Sequence, residues 1–427
     1  MFRGIVWFLI VANVTSSLAE LEMICYANCH IYNFESKEDI FAFQHIPDTA
    51  HVLNMENVQM KHVDRWTLEQ LPPFVHTLKI VGSIKLKRIS VPNALRNLYI
   101  MNTNLRRINI ASNSSLNNLV FSGCGVTKVP LDIQNALQLY WLRLHECKLS
   151  EIDLAVFCDH SYLKLLDCEN NNIRYIVNTS KRNCSFYNAL TELILSTNML
   201  TTVDMELFNV FVSLRQVDLQ RNRITTLSGR LVHRSLEILA MNKNKLGHVD
   251  LCGWDVPSMK KVSFASNNLT TLPECITNWT SVSKLDFSFN EFTNFSIESV
   301  AGMNNLVSIE LECNKLTEIM LNSVHFPPKL SSLRINRNYL TSLDLSFIPV
   351  RSLDVLVAYN LISSFDKNNS SPNVTSLRMS GNQIDCSWET RLEQLYGECT
   401  RNDSIILLRN KRMKTCDGQR SRLYFVL

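Results

Sequence analysis

The stretch Leu306-Val307-Ser308-Ile309-Glu310-Leu311-Glu312-Cys313-Asn314-Lys315-Leu316 decides how the chain is read. Leucine-type residues stand at its first, fourth, sixth and eleventh places, with Asn314 at the ninth. The central Ile309-Glu310-Leu311 alternates as a short strand with one buried face does. The Asn that follows belongs at a bend, where its side-chain amide can satisfy backbone groups of its own turn and the next, which an apolar residue could not do. The same spacing returns from Leu190 (Leu193, Leu195, Asn198, Leu200) and from Leu214 (Val217, Leu219, Asn222, Ile224).

Further copies begin at Leu95, Leu116, Leu139, Leu163, Leu236, Met259, Val282, Leu330, Ser352 and Val374, spaced by 21 to 27 residues. With two degenerate copies near Ala50 and Val75 there are about fifteen, so one repeating unit replaces the two or three domains that a chain of this length would otherwise suggest. The expected fold is an α/β leucine-rich-repeat solenoid, a curved horseshoe with a parallel sheet on its concave face and an irregular or short-helical convex side. At about 4.8 Å per strand the sheet would be roughly 70 Å long, which suits a large protein partner better than a small molecule. Residues 1–19 read as a signal peptide, 20–49 as an N-terminal cap, 50–385 as repeats and 386–427 as a C-terminal cysteine cap with a short tail.

The signal rests on Arg3, an apolar run from Ile5 to Ala12, and the small residues Ser17 and Ala19 at a cleavage point. Beyond the signal segment, ten N-x-S/T triplets agree with export, beginning at Asn113, Asn178, Asn183, Asn268, Asn278, Asn294, Asn368, Asn369, Asn373 and Asn402. No later segment is apolar for long enough to span a membrane, so a secreted, extracellular product is expected. The chain has 46% hydrophobic and 19% charged residues, which places it with folded proteins. Its 43 basic and 39 acidic residues are mixed, so nucleic acid is not an expected partner.

Asn171, Asn198, Asn222, Asn244, Asn267, Asn290, Asn314, Asn338, Asn360 and Asn382 should form an unbroken ladder, with Thr103, Cys124 and Cys147 in the same slot earlier on. Cys124 and Cys147 are therefore read as buried thiols, and Cys168, at an inward strand position, as a core thiol. Cysteines at equal offsets in adjacent turns fall within disulfide reach, which pairs Cys252 with Cys275, each seven residues before the first position of its repeat; Cys158 and Cys184, five and six residues before Leu163 and Leu190, fall on one edge of neighbouring turns and are paired as well. Cys25 and Cys29 can close an N-terminal cap if a turn lies between them. Cys386, Cys399 and Cys416 belong to the C-terminal cap, and Cys313 lies beside the ladder as an exposed residue. Thirteen cysteines are an odd number, and the C-terminal cap is the natural place for an unpaired thiol or a link to another chain.

No metalloprotease, nucleophile-elbow, Walker or dinucleotide-binding pattern occurs, so neither an enzyme nor a cofactor is expected. His145 beside Glu146 and the basic run Arg409 to Lys414 read as solvated surface. Outward strand positions are more informative: Trp141, Arg143, His145, Asp167, Glu169, Glu192, Asp218, Lys261, Lys284, Asp286, Glu310, Glu312 and Arg334 would line the concave face. Their mixed signs suit a protein interface, with Trp141 as the aromatic anchor.

Cys25-Tyr26-Ala27-Asn28-Cys29, the irregular repeats, Leu343-Asp344-Leu345-Ser346-Phe347-Ile348-Pro349 and Ser380-Gly381-Asn382-Gln383-Ile384-Asp385-Cys386 resemble the mosquito leucine-rich-repeat immune proteins. Long members of that family are secreted into haemolymph, pair through a C-terminal disulfide and coiled coil, and stabilise a complement-like thioester protein. This chain has no heptad segment after Cys416 and a single cysteine where long members carry two, so it resembles the coil-less type. The resemblance implies a secreted binding module of insect innate immunity, with a complement-like thioester protein, a related repeat protein or a pathogen surface as partner. An extracellular adhesion or developmental ligand-binding protein is the alternative on the same scaffold.

Overall fold

The computed structural model describes residues 20–366, 370–384 and 406–407. The chain divides into two compact units, one of residues up to 199 with 210–214, the other of 200–209 with the residues from 215 onward. The signal segment and the cap cysteines Cys386, Cys399 and Cys416 lie outside the described residues, as do Asn368, Asn369 and Asn402.

The first unit opens with an antiparallel hairpin, Glu22–Cys25 against Cys29–Tyr32. From there every neighbour is parallel: Val52–Glu56, Thr77–Val81, Asn97–Met101, Asn118–Ser122, Trp141–His145, Leu165–Asp167 and Glu192–Ile194. Equal repeat lengths bring equal positions into register, so Leu142 lies between Leu119 and Leu166. These inward leucines, with Leu98 and Leu193, are fully buried. Each contributes about 1.5–3 kcal/mol relative to an exposed leucine. Short second ladders complete the turns, Arg88–Val91 beside Arg107–Ile110 and Glu151–Asp153 beside Tyr175–Val177. The 3-10 turn Leu154–Phe157 starts at Asp153, whose side chain accepts the Ala155 amide, and it buries Leu154 and Phe157.

The second unit repeats the scheme through Gln216–Asp218, Ile238–Ala240, Lys261–Ser263, Lys284–Asp286, Ser308–Glu310, Ser332–Arg334, Leu353–Leu356, Val374–Arg378 and Ile406–Leu407. Its inward column includes Phe264 and Phe287, stacked with ring centroids 5.7 Å apart.

What fixes each bend is the ladder asparagine. Asn267 donates from Nδ2 to the Met241 carbonyl of the preceding turn at 3.0 Å and to the Phe264 carbonyl of its own at 2.9 Å, while its Oδ1 accepts the Leu246 amide at 3.0 Å. Asn290, Asn314, Asn338 and Asn360 repeat this triad. Asn171 and Asn198 do the same in the first unit. The residue before the slot is left-handed, among them Thr197, Lys243, Phe289, Cys313 and Tyr359. Such a conformation costs an L-residue about 1–2 kcal/mol, and the bonds of the following Asn offset it. The earlier turns hold differently: Cys147 Sγ donates to the His145 carbonyl at 3.3 Å and is hydrogen-bonded with the Cys124 thiol, while the Leu149 amide takes its acceptor from Asn171.

Disulfides join Cys25 to Cys29, Cys158 to Cys184 and Cys252 to Cys275. The first closes the hairpin, whose turn is tightened by the Tyr26 amide on the Asn28 carbonyl at 3.0 Å. Cys124, Cys147 and Cys168 are free and buried. The expectation that Cys313 is exposed is wrong: it is 7% exposed and disulfide-bonded. Residues before the ladder Asn stack from turn to turn, and Cys313 is held there by its amide on the Asn336 carbonyl, with Phe289 one turn back.

Candidate protein-binding faces

Between inward leucines, the intervening residues of each strand point to the outer sheet face, and the two units present different chemistry there. In the first unit Trp141 is 51% exposed and lies in register between Asn118 and Leu165. Its ring is 6.0 Å from that of Tyr140, itself exposed. Two residues further along the strand, Arg143 Nε meets Asp167 Oδ2 at 2.8 Å, and beyond that His145 Nδ1 lies 3.7 Å from Glu169 Oε2. Asp167 is buried, with its other oxygen taken by the Glu169 amide at 2.9 Å. His145, Asp167 and Glu169 bring ligand-type atoms within 4.8 Å of one another. Because both oxygens of Asp167 are already bonded, the group is a charge-paired strip and not a free ligand set. Asp250, Cys252 and Glu274 also converge, but Cys252 is in a disulfide.

A side-chain chain not anticipated from the sequence crosses the same face: Asn118 Nδ2 donates to Asn97 Oδ1 at 2.7 Å, and Asn97 Nδ2 to Thr77 Oγ1 at 2.9 Å. The signal was present, since Asn97 and Asn118 occupy equal places before Leu98 and Leu119.

In the second unit Lys261 and Lys284 are register neighbours, and Lys284 Nζ meets Glu310 Oε1 at 2.9 Å. Arg334 Nε approaches the same oxygen at 3.7 Å. Glu310 is 8% exposed and Asp286 7%, so these two carboxylates are largely covered. Burial, then the charge of Glu310, pushes the Asp286 carboxyl up; the same two causes, with Asp286 added, push Glu312 up. Asn336 Nδ2 donates to Glu312 Oε2 at 2.8 Å. Beyond them lies a hollow of about 340 Å³ lined by Glu312, Cys313, Arg337, Tyr359 and Arg378 among others, with the Arg337 guanidinium over the Tyr359 ring at 5.4 Å.

Among the described sugar-acceptor triplets, Asn113, Asn183, Asn268, Asn278 and Asn294 are exposed. Asn178 and Asn373 donate their amide nitrogens, to the Tyr187 hydroxyl at 2.8 Å and the Ile348 carbonyl at 2.7 Å. Except for Asn294, which starts a strand of the short second ladder, all lie outside strands or, like Asn373, immediately before one. No described helix is long and apolar enough to cross a membrane.

No protein-family model matches the chain. Keratocan of Mus musculus is 24% identical over 260 residues, 53% of this chain and 71% of keratocan. The adenylate cyclase of Schizosaccharomyces pombe is 22% identical over 274 residues, 50% of this chain but 16% of that protein, so the likeness concerns a part of it. Among solved structures, the LRIM1/APL1C complex superposes with a TM-score of 0.58 at 16% identity, covering 91% of this chain and 71% of that one. The APL1 leucine-rich repeat domain gives 0.57 at 19%, covering 84% and 88%. At such identities the likeness establishes the fold: the chain is an α/β leucine-rich-repeat solenoid with disulfides.

Proposed function

We propose that the chain is a secreted binding module of insect innate immunity that engages a protein partner, a complement-like thioester protein or a pathogen surface, through the outer strand face of its first unit. The observation that carries this reading is Trp141, a half-exposed indole set beside the Arg143–Asp167 pair in regular secondary structure. Rigid aromatic anchors beside charged pairs are where interface energy concentrates. The resemblance of the N-terminal cysteine cap and repeats to the mosquito immune proteins supports the immune setting, and the fold shared with the LRIM1 and APL1 structures is consistent with it. Disulfides suit an oxidising, extracellular compartment. Lys261, Lys284, Glu310 and Arg334 offer the second unit's face as a separate, charge-based contact.

The test is to express the chain with its own signal in insect cells, incubate the purified protein with haemolymph, and identify captured proteins by mass spectrometry, in parallel with Trp141→Ala. Capture of a thioester protein that drops at least tenfold for Trp141→Ala, with an unchanged melting temperature, supports the reading. A secreted protein that captures none and binds no microbial surface overturns it.

A further inference from the structure

A second ladder of the first unit carries a run of positive charge that the Trp141 face does not use. His62–Val63, Arg88–Val91 and Arg107–Ile110 pair in parallel, with His62 beside Arg88 and Arg88 beside Arg107. Val63, Ile89 and Ile108 turn inward and are buried, so alternation along each strand turns His62, Arg88 and Arg107 outward. One residue earlier a second column runs alongside: the Lys87 amide donates to the Lys61 carbonyl at 2.9 Å, and the Arg106 amide to the Lys87 carbonyl at 3.0 Å. All six residues are exposed. At about 4.8 Å per strand, the cations and the imidazole form a strip two residues wide and about 10 Å long across three turns.

The strip is not neutralised from within. Among the described residues, none of Lys61, Lys87, Arg88, Arg106 and Arg107 makes an ion pair. Asp64, two residues past His62, is already engaged: its Oδ2 lies 2.6 Å from Lys37 Nζ and its Oδ1 accepts the Thr67 amide at 2.9 Å. Further along the unit the pattern is different, since Lys128 Nζ meets Glu151 Oε1 at 3.0 Å. Like charges side by side on a ladder are destabilising, so folding alone gives no reason for Arg88 to stand beside Arg107. A bound polyanion would offset that repulsion.

The form of the strip selects among polyanions. It is a line and not an enclosure, which suits a linear polymer with repeated charges better than a single small anion. A nucleic-acid strand would be met with aromatic platforms for its bases, and a bilayer with an apolar face to insert. On these turns the exposed large hydrophobics are Trp66 and Ile84, and the Trp66 ring already carries the Lys37 ammonium at 5.1 Å. Sulfate esters need only charge-assisted hydrogen bonds from guanidinium and ammonium groups. No N-x-S/T triplet occurs between Glu20 and Ser112, so these turns carry no N-linked sugar of their own to cover the strip.

We infer that Lys61, Lys87, Arg88, Arg106 and Arg107 form a binding strip for a linear sulfated polysaccharide, separate from the Trp141 face. The inference rests on the extracellular reading, because such polymers are met outside cells, and not on the immune one. A chain held on this ladder leaves the outer strand face open to a protein partner.

The probe is heparin, offered to the purified full chain with its disulfides intact and followed by fluorescence anisotropy at physiological ionic strength. Binding that weakens with added salt is expected, and Arg88→Ser/Arg107→Ser should lower the affinity about tenfold or more at an unchanged melting temperature. Arg223→Ser/Lys245→Ser, which removes two exposed cations from the second unit, should stay within about twofold of the parent. Desulfated heparin should not compete. Absence of heparin binding, equal losses in the two variants, or competition by the desulfated polymer as strong as by heparin overturns the strip. Tighter binding to equimolar phosphatidylserine–phosphatidylcholine vesicles, or to a single-stranded oligonucleotide, overturns the polysaccharide as its occupant. Because the measurement uses purified protein, retention of the chain inside cells would sink the extracellular reading without changing this result, and failure to bind heparin would leave that reading standing.

Discussion

Asn290 holds Phe264 of the turn before it, its Nδ2 on the Phe264 carbonyl at 2.9 Å, while the Leu269 amide donates to its Oδ1 at 3.0 Å. One side chain thus fastens two turns at a place where both backbones are buried and water cannot substitute. Asn290→Leu keeps the branching and heavy-atom count but deletes these bonds and leaves the Leu269 amide without its acceptor. A net hydrogen bond is worth about 1 kcal/mol and a buried orphan costs about 1–3 kcal/mol, so a loss of about 3 kcal/mol is expected in urea unfolding. The exposed neighbour Asn268→Ala should stay within about 0.5 kcal/mol. Equal effects at the two positions would remove the ladder as the source of stability.

Asp286 leads to a pH dependence. Its folded carboxyl titrates above the ordinary Asp value of 3.8, chiefly from burial and then from the charge of Glu310. A raised carboxyl pKa means that the folded state holds the proton more tightly than the unfolded chain. Stability from this group is therefore full below about pH 4 and declines as pH rises through the folded pKa. Asp286→Asn, neutral throughout, is expected to melt higher than the parent at pH 7, with the difference closing as pH falls toward 4. A difference that grows on acidification would reverse the assignment. Glu312, raised for the same causes, should add a second, parallel contribution starting from 4.5.

The slots filled by sulfur give a chemical prediction. Cys168 is fully buried, and burial pushes its thiol up, so it is not a thiolate at neutral pH. Iodoacetamide should leave Cys124, Cys147 and Cys168 unlabelled in the native protein and label all three once urea unfolds it. Labelling of any of them at native conditions, at the rate of an exposed thiol, would contradict their placement.

Much of this architecture was legible in the residues because the repeat fixes position by counting. The inward strand place of Val262 and the slot of Asn267 differ in chemistry and return at a constant offset, as Leu285 with Asn290 and Ile309 with Asn314. The ladder, the inward apolar column and the Cys158–Cys184 and Cys252–Cys275 pairs therefore follow from register alone. What counting cannot give is how far a neighbour's side chain covers a place. Asp167, Asp286 and Glu310 stand at outward positions yet are buried, because Arg143 lies over the first and Lys284 over the last. Cys313 reads as edge surface until the stacking of the left-handed residues is seen. The Thr77–Asn97–Asn118 chain likewise depends on rotamers, which no spacing specifies.

The Arg143–Asp167 pair separates stability from recognition on the proposed face. Asp167 is buried and Arg143 is half exposed, so the carboxylate depends on the guanidinium while the reverse holds only weakly. Breaking a fully buried pair costs about 3–5 kcal/mol; with one partner half in water, about 1–2 kcal/mol is expected for Arg143→Met. Asp167→Asn alone should cost less, because a neutral amide needs no countercharge and its oxygen can still accept the Glu169 amide. The double variant should then be more stable than Arg143→Met, a coupling of at least about 0.5 kcal/mol that a double-mutant cycle in urea would read directly. If Arg143→Met loses nothing, the guanidinium is free for a partner and its contact with Asp167 is incidental. If the coupling is as expected, a loss of partner capture in Arg143→Met must be compared with the double variant, in which the buried charge is gone and only the missing recognition group remains.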